Sequence, residues 1–208
     1  MISLAISWDT SWMAALQPGR IGGAVSRALR KAGMTALRDM RGEASKRIRA
    51  RKRLKASSIR KAMVLQGTRG RVSMDSAWAF RMTGKALPLV EYPHRFVAGD
   101  GQARSRRTGR YGAALGQSGY LVVEVNRGKK SVVKGGFLAR MASGHEGIFR
   151  RQGAARLPIE ELLGSRPVDP LLKPGEAEAV RERGARSMRG TFERMLPIEL
   201  GKLGNGAV

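Results

Sequence analysis

Cysteine is absent from this 208-residue chain. Its absence excludes a disulfide framework, an iron–sulfur cluster, a thiolate zinc site and a thiol nucleophile. Acidic residues are few, 16 against 40 Lys and Arg, and those before residue 151 are scattered. A metal-dependent nuclease needs several converging carboxylates, so that chemistry is not expected. The two histidines, His94 and His145, have no acidic cluster beside them in sequence and read as structural. There is no GxxxxGK(S/T) phosphate loop, no GxGxxG after a strand, and no serine with an evident base partner. No apolar run approaches the roughly 18–20 residues of a membrane span. The first basic residue is Arg20, so a positively charged signal region is missing at the N-terminus. These absences predict a soluble protein made in a cytoplasm, not an enzyme, with no cofactor and no metal.

What is present is positive charge, +24 in all. Residues 1–150 carry 30 basic and 8 acidic side chains, and 20–61 alone carry 15 and 2. Self-repulsion on this scale penalises a lone compact monomer, and a polyanion or an acidic partner relieves it. A basic surface kept for solubility is the plainer alternative. Hydrophobic residues make up 42%, enough for a core, and the length suits one domain or one domain with an arm.

The pattern of apolar residues is informative. Ile2, Leu4 and Ile6 alternate with small or polar residues and predict a strand, after which Asp9, Thr10 or Ser11 caps a helical turn over 12–16. No proline interrupts 20–53. There Ile21, Val25, Ala28, Ala32, Ala36, Met40, Ala44 and Ile48 recur every three or four residues. They mark one narrow, alanine-rich face of a helix about 45 Å long, which projects or lines a shared wall. Ser57 or Ser58 caps a short helix over 59–65. From Val72 the period drops to two, through Met74, Ser76, Trp78, Phe80 and Met82. Residues 87–93 read as an edge strand or extended segment, and 99–119 as a long mobile Gly/Arg loop. A strand over 120–125 precedes a turn at Lys129 and Lys130. Residues 137–142 and 148–150 form a hairpin around 143–147. A helix over 176–203 turns Val180, Met188, Phe192, Met195 and Leu196 inward, with Pro197 kinking or ending it.

The sum is an α+β chain: a long basic N-terminal helix, an antiparallel β-sheet and a C-terminal helix. It divides into a strand and helical arm over 1–66, a β core over 67–172, and the last helix over 173–208.

Arg27, Lys31, Arg38, Arg41, Arg47, Arg51, Lys52 and Arg53 lie on the long helix and at its exit. Together with Arg104, Arg106, Arg107 and Arg110 in the loop, they are the candidate contacts to DNA phosphates or an acidic partner. Tyr111 adds one stacking ring. No recognition helix, zinc finger or RNP signature accompanies them, so sequence-specific reading is not expected. A solvated helix face and a plain hairpin tip are the alternatives.

A second candidate surface is apolar. In 143–147 the glycines Gly144 and Gly147 supply positive φ to a tight turn, and Phe137, Met141, Ile148 and Phe149 anchor it. Leu157, Pro158 and Ile159 form an extended apolar strip. Phe137, Ser143, Gly144, His145, Gly147, Phe149, Arg150, Leu157, Pro158 and Ile159 together read as an assembly surface, or as ordinary hairpin packing.

Residues 135–151 spell GGFLARMASGHEGIFRR, and 156–164 spell RLPIEELLG. This block resembles the signature of the prophage minor tail protein Z family, the tail completion proteins of long-tailed phages, in which an SGH-x-G-V-F-x-R run precedes LPI-x-E. GKALPL at 84–89 and KASSIR at 55–60 resemble two further family elements, so the resemblance spans about 20–172. Gly164-Ser165-Arg166-Pro167 stands where the family has a Gly-Pro-Ser order. The resemblance implies a structural protein of the virion neck, completing the head-proximal end of a tail and joining it to a filled head around the DNA channel. Its implied partners are a tail terminator, a head–tail connector, further copies of itself in a six-fold ring, and genomic DNA by non-specific contact, with no membrane. A non-specific DNA-binding or DNA-packaging accessory protein is the alternative, and a ribosome- or RNA-associated protein the third class.

Overall fold

The computed structural model describes residues 2–6, 19–67, 78–82, 84–98, 119–153, 155 and 157–204. In chain order they form strand β1 (Ile2–Ile6), helix α1 (Arg20–Arg51), helix α2 (Ala56–Lys61), and strands β2 (Met63–Gln66), β3 (Trp78–Met82), β4 (His94–Ala98), β5 (Gly119–Asn126), β6 (Lys129–Val133), β7 (Gly136–Arg140), β8 (Glu146–Arg151) and β9 (Ile159–Glu161). Helix α3 (Glu176–Gly204) closes the order. The architecture is α+β, and every strand pairing is antiparallel. Among the described residues the strands make three sheets and not one, β1-β3-β2, β4-β5-β6 and β7-β8-β9. The period-two runs are short, and most pair with their neighbours in sequence. Contacts divide the chain into two compact units. One comprises Met1–Arg47, Arg60–Gly84 and Val168–Val208; the other comprises Ile48–Ile59 and Lys85–Pro167.

In the first unit, α1 is helical because alanine and long straight side chains fill a proline-free run, and Arg49 and Arg51 in its last turn oppose the dipole. Its buried stripe is broader than the alanine pattern foretells. Ala24, Leu29 and Leu37 join Val25, Ala28, Ala32, Ala36, Met40 and Ala44, whereas Ile21 at the entry is half exposed; Ile48, also buried, belongs to the second unit. The broad stripe follows from two neighbours. One is the sheet β1-β3-β2, whose central strand buries Trp78, Phe80 and Met82. The Trp78 indole rests on bare helix backbone: a β-carbon placed on Gly33 would lie 2.1 Å from its Cε2.

The other neighbour is α3. Its ion pairs with α1 run in reverse order along the two helices: Glu176 with Arg47, Arg183 with Asp39, and Glu199 with Arg27 and Lys31. The helices are therefore antiparallel. Val180, Met188 and Phe192 are buried as the periodicity requires, with Gly184, Thr191 and Glu199 beside them on the buried side. Met195 and Leu196 are half buried. Pro197 does not end the helix, which continues to Gly204. Proline removes one intrahelical bond, and the ion pairs of Glu199 hold the following turn.

The expected helix over 59–65 stops at Lys61, and Met63–Gln66 becomes β2, paired with β3 through Met63↔Met82 and Leu65↔Phe80. Burial alternates along it, so the partner strand overrides a local helical preference. Ser58 donates its hydroxyl to Glu91 instead of capping α2. The expected turn over 12–16, the strand residues before Trp78, and the loop 99–118 lie outside the described residues.

In the second unit, β4-β5-β6 is a meander whose second turn is Arg127–Gly128, with Gly128 at φ +76°. Lys129 and Lys130 thus start β6, where a turn was expected. Strand β4 has no clear period-two signal, since its outward Arg95 and Phe96 are both exposed. Residues 87–93 are not a strand: Pro88 makes one bridge to Leu163, and Leu89–Glu91 is a 3-10 turn. Tyr92 is buried after it and donates its hydroxyl to the Ser165 carbonyl at 2.7 Å.

Candidate assembly surface and polyanion contacts

The hairpin β7–β8 with β9 gathers the family-like block into one sheet. The register aligns Phe137, Phe149 and Glu161 across the three strands, so they share a face. The connecting turn closes through Met141 N–H to the His145 carbonyl and Gly144 N–H to the Met141 carbonyl. Gly144 takes φ +84°, a left-handed conformation that disfavours any side chain. His145 Nε2 lies 2.8 Å from Glu161 Oε1, and its ring meets Phe149 edge-on at 6.3 Å. Phe137 packs on Phe149 at the same centroid distance, with the Arg151 guanidinium 5.9 Å over its ring. Arg150 faces Glu160 at 3.7 Å on the surface.

Gly147 is glycine for a different reason from the one expected. Its φ is not left-handed. A β-carbon there would sit 2.7 Å from Glu161 Oε1 and 2.9 Å from the Phe149 ring. Gly147→Ala should therefore push Glu161 off His145 and cost about 1–3 kcal/mol, the usual range for overpacking. Gly153→Ala, whose added methyl meets nothing, should be near neutral. Thermal unfolding of the two variants checks the difference.

Ser143, Gly144 and His145 are exposed, Gly147 and Phe149 are buried, and Phe137 is half buried. Leu157 is 67% exposed; Pro158 is exposed beside it, and Ile159 is half buried in β9. The block thus combines a packed interior with an exposed apolar residue, Leu157, at its edge.

Three basic residues of α1, Arg27, Lys31 and Arg47, are committed to ion pairs within the first unit. Glu199 is 1% exposed and accepts from Lys31 at 2.7 Å, Arg27 at 2.8 Å and Lys202 at 2.9 Å. The hydrogen bond from Lys31, followed by those from Arg27 and Lys202, holds this carboxylate far below the ordinary carboxylate range, against the opposing effect of burial. Arg47 binds Glu43 and Glu176; the hydrogen bond to Glu176 chiefly raises its pKa, burial opposes this, and Glu43 adds to the rise. Arg41 is half buried with its Nε unpartnered among the described residues. Arg38 is exposed and lines a hollow of about 610 Å³ between α1 and α3, where Asp39, Glu43 and Glu182 offset Lys46, Arg183 and Arg186. Three of the expected contacts, Arg27, Lys31 and Arg47, are thus ion-paired within their own chain, although Arg27 and Lys31 share the single Glu199 carboxylate with Lys202.

The exit of α1 differs. In the second unit Arg127 N–H donates to the Arg51 carbonyl and Arg53 N–H to the Val125 carbonyl, zipping residues 51–53 to the end of β5. Lys52 Nζ donates to Asn126 Oδ1 at 2.7 Å, and the Arg127 guanidinium to the Arg49 carbonyl at 3.3 Å. Here a hollow of about 320 Å³ is lined by Arg49, Lys52, Arg53, Lys55 and Arg127 over Leu54 and Pro93. Lys52 and Arg53 were expected as contacts. Arg49, Lys55 and above all Arg127 were not, because Arg127 joins them only through pairing across more than 70 residues. Arg51 is exposed at the helix end. Arg104, Arg106, Arg107 and Arg110 lie outside the described residues.

Among the described residues no group of three or more His, Asp or Glu side chains is placed to hold a metal ion, and no helix is long and apolar enough to cross a membrane. No family model, curated protein or solved structure matches the chain.

Proposed function

We propose that this chain is a structural, non-catalytic subunit of a phage virion, completing the head-proximal end of a tail and joining it to a filled head. The observation that supports this most is the block at 135–164. Its turn joins β7 to β8, its two phenylalanines pair across those strands, and Ile159 of the LPI strip opens β9 of the same sheet, with Leu157 exposed just before it. Such a surface suits contact with a terminator or connector ring, or with further copies of the chain in a six-fold ring. The positive charge suits a place around a DNA channel. The second reading, a non-specific DNA-binding or packaging accessory protein, draws on the cation-lined hollow at the α1 exit.

Composition of purified virions separates the two. The tail reading expects a few to a dozen copies per particle, and unjoined heads and tails or non-infectious particles when the gene is disrupted. Normal virions assembled without the protein would sink it.

A further inference from the structure

We infer that the hollow at the exit of α1 is a phosphodiester-binding site for the backbone of double-stranded DNA. The inference takes up the DNA contact of the functional reading and assigns it to residues. Five cations, Arg49, Lys52, Arg53, Lys55 and Arg127, line the hollow, and among the described residues no carboxylate does. The C-terminus of α1 offers only about half a negative charge, too little to compensate Arg53 and Lys55. Arg53 and Lys55 form no ion pair among the described residues. Glu124, in β5, accepts from the Gly128 N–H at 2.8 Å.

The scaffold is rigid where it matters. Backbone bonds from Arg53 to Val125 and from Arg127 to Arg51 fix both rims, and Lys52 is held by Asn126. A backbone held in this way leaves only side-chain freedom to be lost on meeting an anion. Lys129 and Lys130 follow Arg127 on β6 and are exposed, extending the positive strip along the hairpin. Among the described residues no aromatic side chain lines the hollow, so they supply no stacking platform of the kind single-strand binders use. Backbone contact without base reading is the mode that remains, and it fits a duplex of any sequence. The mixed-sign hollow between α1 and α3 has no such preference.

The test is fluorescence anisotropy of the full chain with labelled duplexes of about 20 base pairs in two unrelated sequences, titrated with salt. Wild-type protein should bind both alike. Arg53→Gln with Lys55→Gln should weaken binding roughly 10-fold near 0.1 M salt and lower the log–log salt slope by about 2, since each phosphate contact contributes about 0.9. Arg189→Gln with Arg194→Gln removes the same charge from exposed positions of α3 and should change affinity by no more than about 2-fold. The charge-keeping pair Arg53→Lys with Lys55→Arg should restore most of the affinity. The inference is overturned by equal losses in both Gln pairs, by no binding of either duplex, or by polyglutamate competing as well as DNA, which would make the site one for an acidic protein. The tail reading is judged separately, on virion composition, so either can fall alone.

Discussion

Gly33→Ala should lower stability by about 3 kcal/mol, although alanine is the better helix former by about 1 kcal/mol. The new methyl would lie 2.1 Å from Trp78 Cε2, 2.3 Å from Nε1 and 2.5 Å from Cδ2. These are ring atoms of a side chain only 2% exposed, at the start of the central strand β3. Neither the indole nor the helix can retreat without opening the core, so the overlap outweighs the propensity gain. For a chain of this size the loss corresponds to a melting temperature roughly 6–12 °C lower. Adding Trp78→Leu should recover part of it, because the smaller side chain vacates the contested space and the two effects are then not additive. A raised melting temperature in Gly33→Ala would show that the indole does not rest on the helix.

The second large effect concerns Glu199. Its carboxylate is stabilised in the folded state by Lys31, Arg27 and Lys202. Its folded pKa therefore lies below its unfolded value of about 4.5, and the stability it contributes is complete above that value. It drains away as pH falls from about 4.5 toward the depressed folded pKa. Glu199→Gln leaves three cations facing a neutral amide, in a protein already at +24. The variant should melt well below wild type at pH 7 and show a shallower loss below about pH 4.5. Glu160→Gln, in a half-exposed pair with Arg150, should hardly move. Melting temperatures of the three proteins between pH 3 and 7 decide the matter; parallel acid limbs for wild type and Glu199→Gln would refute the clamp.

Legibility followed the range of the interactions. Helix α1, helix α3 and the β7–β8 hairpin announce themselves by local periodicity and by a glycine at a turn. Strand β2 does not, because Met63–Gln66 is a strand only by virtue of β3. The need for glycine at 147 was visible, yet its cause was Glu161, fourteen residues on. The count of cations could be read, but their engagement could not. Nothing local in sequence ties Arg27 to Glu199, or marks Arg127 as a neighbour of Arg53. Charge patterning therefore overestimated the free cations on α1 and missed most of those at its exit.

The antiparallel seating of α3 on α1 also has a meaning in time. Arg27 and Glu199 are separated by 172 residues. At a synthesis rate of about 5–20 residues per second, the partner of α1 reaches it roughly 10–30 s after the helix has been made. Throughout that interval the alanine and leucine stripe of α1 lacks its last cover on the growing chain. The first unit is completed only once Val168–Val208 has been made, so α1 must wait for a segment far behind it in synthesis before its apolar stripe is fully covered.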